Sequence, residues 1–395
     1  MMEAWRKIRL GDACVTNADS YSLKEEWEFV NYLDTGNITN NRIDSVQYID
    51  VENDKLPSRA RRKVKKNSII YSTVRPNQRH FGIIKTQPDN FLVSTGFAVI
   101  DVDEDTLDAD FIYYLLTQPT LVETLHAIAE QSTSAYPSIK PSDIEDLEIE
   151  IPELAVQKKI ANILGSLDRK ITQNTKVNDN LLQQAQNIFA QEFLAIDSIP
   201  DGWQKSSLLG IADYLNGLAM QKYRPNDDEQ GLPVLKIKEL RQGYCDVNSE
   251  LCSPSIKPEY IIHDGDVIFS WSCSLLVDLW CGGICGLNQH LFKVTSSTYD
   301  KWFYYSWTHH YLRKFAVIAA DMATTMGHIK RKELAKAEVL IPSQSDYDRI
   351  GGQLAPLYDL VIANRIENRK LASLRDELLP QLMSGQLDVS KVSLE

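Results

Sequence analysis

The chain repeats itself. Residues 139–181 recur as residues 329–371 at a constant offset of 190, with no insertion or deletion along the run. The matched pairs include Ile139/Ile329, Lys140/Lys330, Ile151/Ile341, Pro152/Pro342, Ile160/Ile350, Leu164/Leu354, Asn174/Asn364, Asn178/Asn368 and Leu181/Leu371. A duplication of this length implies two similar units in one chain, and it constrains the fold before any local propensity does.

Each copy opens on alternating apolar residues (Leu147, Ile149, Ile151; Val339, Ile341) and closes on Ile-Pro, which predicts a strand. A helix is predicted next, over about 157–193 in copy one. Its apolar and amide residues step by four and three through Ile160, Leu164, Leu167, Ile171, Asn174, Asn178, Leu181, Ala185 and Ile188. Copy two steps the same way through Ile350, Leu354, Leu357, Val361, Asn364, Asn368, Leu371, Arg375 and Leu378. A 3.5-residue period is that of a coiled-coil seam. A helix of this length, roughly 55 Å at 1.5 Å per residue, is too long to lie flat on a small domain. The economical partner for each stripe is the other copy. Two equivalent units pack most simply about a pseudo-twofold axis, so the expected pairing is antiparallel, with the four Asn as register pins near its middle. Buried Asn lowers stability but penalises slipped pairings. The alternative is a wet seam in which these residues specify nothing.

The expected fold class is α+β: two globular α+β domains separated by an antiparallel pair of long coiled-coil helices, in a pseudo-twofold internal repeat. The domains are placed at 1–145 and 198–335, each followed by a spacer segment, 146–197 and 336–395. The turn Asp197-Ser-Ile-Pro-Asp-Gly202 marks the boundary. The tail beyond Ser384-Gly385 turns polar and is left to fray or to pack on unit one. Between the repeats the two units diverge, yet their landmarks keep the same order: 30–38 with 233–241, 65–76 with 263–274, and 110–116 with 301–307. Short β runs dominate, with helices expected near 111–129 and 301–319.

Residues 59–66, Arg-Ala-Arg-Arg-Lys-Val-Lys-Lys, hold six cations in eight positions. Such a run reads either as solvated surface or as a phosphate-contacting loop through Arg59, Arg61, Arg62, Lys63, Lys65 and Lys66, joined in unit two by Lys236 and Lys238. Just after it, Ser72, Thr73, Arg75, Asn77, Gln78, Arg79 and His80 follow a strand. Arg, Asn and Gln are the side chains able to make bidentate contacts to base edges. The matching part of unit two offers Ser270, Trp271, Ser272 and, upstream, Arg241. Hydroxyl-rich loops just ahead of each repeat add Ser134 and Tyr136 in one unit and Thr324 and Thr325 in the other.

The chain carries 54 acidic and 42 basic residues, a formal net charge of −12. That argues against nonspecific coating of nucleic acid and leaves local, site-specific contact open. No apolar run approaches the ~18 residues of a membrane span, and the N-terminus has no apolar leader core, so a cytoplasmic protein without a membrane role is expected. The six cysteines lack metal spacing, Cys281 and Cys285 included, and read as buried free thiols. No phosphate-binding Gly-x-x-x-x-Gly-Lys loop, Asn/Asp-Pro-Pro-aromatic tetrad or nuclease carboxylate set is present. Gly282, Gly283 and Gly286 lack the strand–loop–helix context of a cofactor site, and His309-His310 has no partner at ligand spacing. Binding and positioning, with no catalytic residue, no metal and no cofactor on this chain, is the reading that remains.

This architecture resembles the DNA specificity subunit of type I restriction–modification systems. The likeness is carried by IEIPELAVQKKIANILGSLDRKITQN, by its copy VLIPSQSDYDRIGGQLAPLYDLVIAN, by RDELLPQLMSGQLDVS, and by GDVIFS (265–270) with its weaker partner NSIIYS. One departure is that the Leu-Ala-x-Gln-Lys of 154–158 is lost from copy two, which reads Ser-Gln-Ser-Asp-Tyr at 343–347. The resemblance implies that each variable unit reads one half of a bipartite, asymmetric site on double-stranded DNA. It implies that the helices fix the gap between half-sites. It also implies docking of two methyltransferase (modification) subunits, which use S-adenosylmethionine, and of restriction/translocase subunits, which use ATP and Mg. The alternative is a protein–protein adaptor on a coiled-coil scaffold, which would show no sequence preference on DNA.

Overall fold

The computed structural model describes residues 5–132, 136–272, 274–321 and 329–389. The chain divides into two units: residues 1–168 with 373–395, and residues 169–372. Both divisions fall inside long helices.

In unit 1 the strands are β1 (Arg6–Arg9), β2 (Cys14–Thr16), β3 (Phe29–Leu33), β4 (Ile38–Thr39), β5 (Arg42–Ile43), β6 (Gln47–Asp50), β7 (Ala60–Lys63), β8 (Ile69–Ser72), β9 (Phe81–Ile83), β10 (Phe91–Ser94) and β11 (Phe97–Val102). Helices α1 (Ala109–Leu116), α2 (Pro119–Glu130) and α3 (Pro141–Glu145) follow, then β12 (Glu148–Ile151) and the long α4 (Leu154–Phe189). The expected single helix over 111–129 is two helices. Pro119 has no amide to donate and sits at the first position of α2, where none is needed.

Unit 2 continues with β13 (Gln204–Ser207), α5 (Leu208–Ile211), β14 (Asp213–Asn216), β15 (Leu232–Leu235), α6 (Ile237–Gln242), β16 (Leu251–Cys252), β17 (Ile261–Ile262), β18 (Val267–Ser270), β19 (Leu276–Leu279), β20 (Cys285–Leu287) and β21 (Leu291–Thr295). It closes with α7 (Lys301–His310), α8 (Leu312–Asp321), α9 (Arg331–Lys336), β22 (Glu338–Ile341) and the long α10 (Gln344–Met383). Here too the expected helix over 301–319 is two, parted at Tyr311.

The two units share one strand plan. Four-stranded sheets run β2-β11-β8-β9 in unit 1 and β14-β21-β18-β19 in unit 2. Second sheets run β6-β3-β10-β7 and β16-β15-β20-β17, each with one parallel pair, β3 with β10 and β15 with β20. A two-stranded antiparallel sheet ties the opening of each unit to the strand before its long helix: Arg6 faces Ile151, and Gln204 faces Ile341. The main difference lies after the first strand of the second sheet. Unit 1 inserts the β4–β5 hairpin there, and unit 2 inserts α6.

Each core takes a stretch of both long helices. Ile160, Leu164, Leu379, Leu382 and Met383 pack with Ile69, Phe111 and Ile149 in unit 1. Ala185, Phe189, Phe193, Ile350, Leu354 and Tyr358 pack with Phe269, Phe303 and Val339 in unit 2. Helix α4 holds 36 residues and α10 holds 40, roughly 54 and 60 Å of axis. The tail described as far as Val389 packs rather than frays: Val389 is 3 % exposed within the unit 1 core. Among the described residues no helix is long and apolar enough to cross a membrane.

Candidate nucleic-acid interface

The helix seam comes first, because both long helices contribute to each core. All eighteen seam residues are buried or half-buried. In unit 2, Asn174 donates from Nδ2 to Asn368 Oδ1 at 2.9 Å, and Asn364 donates to Asn178 Oδ1 at 2.9 Å. The 190-residue offset exchanges these two bonds, so the polar layer has its own twofold relation. Asn174 also reaches Glu367, Lys170 pairs with Glu367 at 3.4 Å, and Arg349 forms a forked pair with Glu192 at 2.7 and 2.8 Å. Partner numbers rise on one helix as they fall on the other, which makes the pairing antiparallel. Hydrogen-bonded amides at a seam lose their partners on any slip, and an unpaired buried amide costs roughly 1–3 kcal/mol.

The Gln lost from copy two has a local explanation. Gln157 is fully buried; its Oε1 accepts from Asp108 N at 3.0 Å, and its Nε2 donates to Pro152 O at 3.0 Å and Thr106 O at 3.3 Å. Asp108 caps α1 by accepting from Phe111 N. One repeat along, Tyr347 Oη accepts from Asp300 N at 2.7 Å, and Asp300 precedes α7. An amide and a phenol thus anchor the residue before the equivalent helix, and this departure from the repeat keeps the geometry.

At one edge of unit 1, the turn after β8 presents Arg75, Asn77, Gln78 and Arg79, all exposed, on and beside the single 3₁₀ turn Pro76–Gln78. Arg75 (φ +48°) and Arg79 (φ +57°) hold left-handed backbone, a conformation that costs a non-glycine residue of order 1–3 kcal/mol. Hydrogen bonds hold it in place: Arg75 N to Pro137 O at 2.9 Å, and Arg79 N to Pro76 O at 3.0 Å. The Arg75 guanidinium lies over the ring of Tyr136, 5.3 Å from its centroid, and Tyr136 is 61 % exposed. A planar cation and an exposed ring side by side suit base edges and faces.

The other predicted contacts are placed less favourably. The basic run is strand β7 with its flanks, not a loop. Lys63 is held by Glu25 at 2.6 Å and lies near Asp19, so its pKa is raised by that hydrogen bond. Lys65 pairs with Asp101 at 3.7 Å, and Arg62 turns toward Ser20 with its Nε shut away from solvent. Arg59 and Lys66 are exposed and Arg61 half-buried. Ser72 is buried and donates to Val74 O; Thr73 donates to Gly96 O. In unit 2, Ser270 is buried and donates to Ser274 O, and Ser272 is buried beside His290. Trp271 is half-buried and donates to Asn216. These hydroxyls and the indole are engaged in holding their own turns, because a buried donor must find an acceptor close by. Lys236 pairs with Glu250 at 2.7 Å and Lys238 with Asp246 at 3.1 Å, while Arg241 is exposed on α6. Ser134, Thr324 and Thr325 lie outside the described residues.

Pairs that sequence reasoning missed hold α10 in unit 2. Arg369 forks onto Asp264 at 2.7 Å through both terminal nitrogens and reaches Cys281 O; Arg365 reaches Asp278 and Leu279 O. Hydrogen bonding from Arg369 lowers the Asp264 pKa. The five cysteines among the described residues are free thiols, and no cluster of three or more His, Cys, Asp or Glu there could hold a metal ion.

Comparison with known proteins agrees with this architecture. Residues 2–183 match the family model for the type I restriction modification DNA specificity domain. Over 98 % of its length the chain is 21 % identical to the whole of the type I restriction enzyme HindI specificity subunit of Haemophilus influenzae. It is 24 % identical to the MjaIX specificity subunit of Methanocaldococcus jannaschii, covering 79 % of this chain and 76 % of that one. Among solved structures, the type I restriction–modification S subunit from M. genitalium superimposes with a TM-score of 0.58 at 14 % identity, covering 96 % of both chains. The first half of the chain thus carries the DNA specificity domain of type I restriction modification systems, and nearly the whole chain is similar to specificity subunits of those systems.

Proposed function

We propose that this chain reads a bipartite, asymmetric DNA site and delivers partner subunits to it. The domains at 1–145 and 198–335 are the two readers. The segments 146–197 and 336–395 are the spacer. The supporting observation is a single strand plan used twice, with unlike side chains at the tips and a hydrogen-bonded amide layer locking the helices that follow. Like frames with unlike tips suit two different half-sites. A rigid spacer makes occupancy depend on their separation, because the second half binds at high effective concentration only when the gap matches.

In unit 1, Arg75, Asn77, Gln78, Arg79 and Tyr136 read bases, with Arg59, Arg61 and Lys66 on phosphates. In unit 2, Arg241 is the exposed candidate. Lys63, Lys65, Lys236 and Lys238 are held by carboxylates and would have to exchange partners to reach a phosphate. Two methyltransferase subunits dock on the spacer, bind S-adenosylmethionine, and modify a base flipped from the stack. Restriction/translocase subunits supply the ATP- and Mg-dependent chemistry. This chain supplies position and no catalytic group.

Salt dependence of binding by the assembled complex tests the reading. Affinity for its target should fall steeply with salt, and the preference over unrelated duplex should persist. Equal affinity for every duplex would refute it.

A further inference from the structure

The β4–β5 hairpin of unit 1 answers to no landmark in unit 2 and was not among the predicted contacts. Its turn is Asn40-Asn41, with φ +48° and +64°. Two successive left-handed residues make the tight turn whose twist suits a two-residue hairpin, and Asn is among the few residues that accept it. The hairpin is fixed to the Arg75–Arg79 turn. Asn40 N donates to Arg79 O at 2.9 Å, Asn41 N donates to Phe81 O at 2.8 Å, and Ile83 N donates to Asn41 Oδ1 at 2.9 Å. His80 Nδ1 meets Ile38 O at 2.6 Å and lies 3.3 Å from the Thr39 hydroxyl. Close approach needs Gly82, where a Cβ would stand 2.6 Å from Ile38 Cδ1 and 2.7 Å from Asn41 Oδ1.

With the Asn41 side chain spent on this docking, the tip offers Thr39, Asn40 and Arg42 to solvent, all exposed. Arg42 has one carboxylate in reach, Asp44 at 3.7 Å, and the Arg42 side chain remains 84 % exposed. In a chain of net charge −12, this places Arg42, Arg75 and Arg79 on two connected turns. A two-stranded ribbon fits the major groove, and Asn and Arg are the side chains that pair with adenine and guanine edges there.

We propose that the β4–β5 hairpin is a second reading finger of unit 1, entering the DNA groove beside the Arg75–Arg79 turn and selecting bases through Asn40 and Arg42. This rests on the DNA-reading function proposed above. The test is selection from a randomised duplex library, using the complete complex carrying wild-type chain, N40G/R42A, or R75A. Glycine keeps the left-handed turn, and thermal unfolding of the variant should match wild type. N40G/R42A should relax preference by roughly tenfold to a hundredfold at base pairs of one half-site. The other half-site and the gap should stay unchanged. Wild-type preference in N40G/R42A, while R75A changes it, would overturn the finger. A uniform loss of affinity with preference intact would also overturn it, by making the hairpin a phosphate contact. If wild type itself selected no sequence, the DNA-reading function would fall, and the finger with it.

Discussion

In unit 1, Asp168 accepts hydrogen bonds from Tyr114 at 2.6 Å and from Arg375 at 2.7 Å. One repeat along, residues 168 and 375 become Tyr358 and Ala185, both buried in the unit 2 core. There Tyr305, the landmark counterpart of Tyr114, meets Tyr358 edge to face at 5.0 Å, and Ser306 bonds the Tyr358 hydroxyl at 2.9 Å. An ion pair capped by a phenol and an aromatic pair capped by a hydroxyl occupy equivalent places between helix and domain. The repeat therefore preserves shape and satisfied polar groups, while the chemistry drifts. Gln157 and Tyr347 give the same lesson at the helix starts.

Exchanging these chemistries should have the largest effect. Writing the ion pair into unit 2 as A185R/Y358D places an Arg where no side-chain space exists and should cost at least about 3 kcal/mol, seen as early loss of unit 2 protection in hydrogen exchange. The milder D168A in unit 1 takes from Arg375 its partner on the other helix and leaves it the adjacent Asp376. Both side chains of the broken pair are about one third exposed, so about 2 kcal/mol is expected. A neutral A185R/Y358D would mean that this site is looser than its burial implies.

The amide layer gives a subtler contrast. N364L alone strips Asn178 of its donor and should cost about 1–2 kcal/mol in thermal unfolding. Replacing all four Asn by Leu should instead raise stability and admit slipped pairings, visible as a second cross-linking register. A unique register in the fourfold variant would show that the cores alone set the pairing.

The Arg369–Asp264 fork sharpens the comparison furthest. Its repeat counterpart, Asp179, is exposed. R369A should cost about 1 kcal/mol and D179A nothing measurable. Because the folded Asp264 pKa is lowered, the fork stabilises above the ordinary Asp pKa of about 3.9. That contribution is lost as pH falls through the lower folded value. The gap between wild type and D264N should therefore close on acidification below the ordinary Asp range, and a gap that did not narrow as the acid-unfolding transition was approached would refute this assignment.

Much of this was legible in the chain. The fixed offset exposed the duplication, and the four-three stepping picked out residues that are all buried or half-buried, with the four Asn bonded between the helices. The forks were not legible, because Arg365 and Asp278 lie 87 residues apart and only tertiary packing joins them. The burial of Ser72 and Ser270 was not legible either, because a hydroxyl after a strand looks alike whether it faces solvent or closes its own turn. The hairpin did leave a signal, Asn-Asn between Ile38-Thr39 and Arg42-Ile43, but two-residue strands are too short for periodicity to detect.

The most direct test of the central claim is a matched insertion. Seven residues continuing the heptad, placed between Arg169 and Lys170 and again between Ala372 and Ser373, fall within one residue of the unit boundaries and keep the antiparallel register. Mapping the modified sites of a host carrying the complete system would read the outcome. Both half-site sequences should be unchanged, with the gap between them longer by about three base pairs, since seven residues add about 10 Å of helix and a base pair spans about 3.4 Å. An unchanged gap, or altered half-sites, would contradict the claim that the paired helices set the distance between two independent readers.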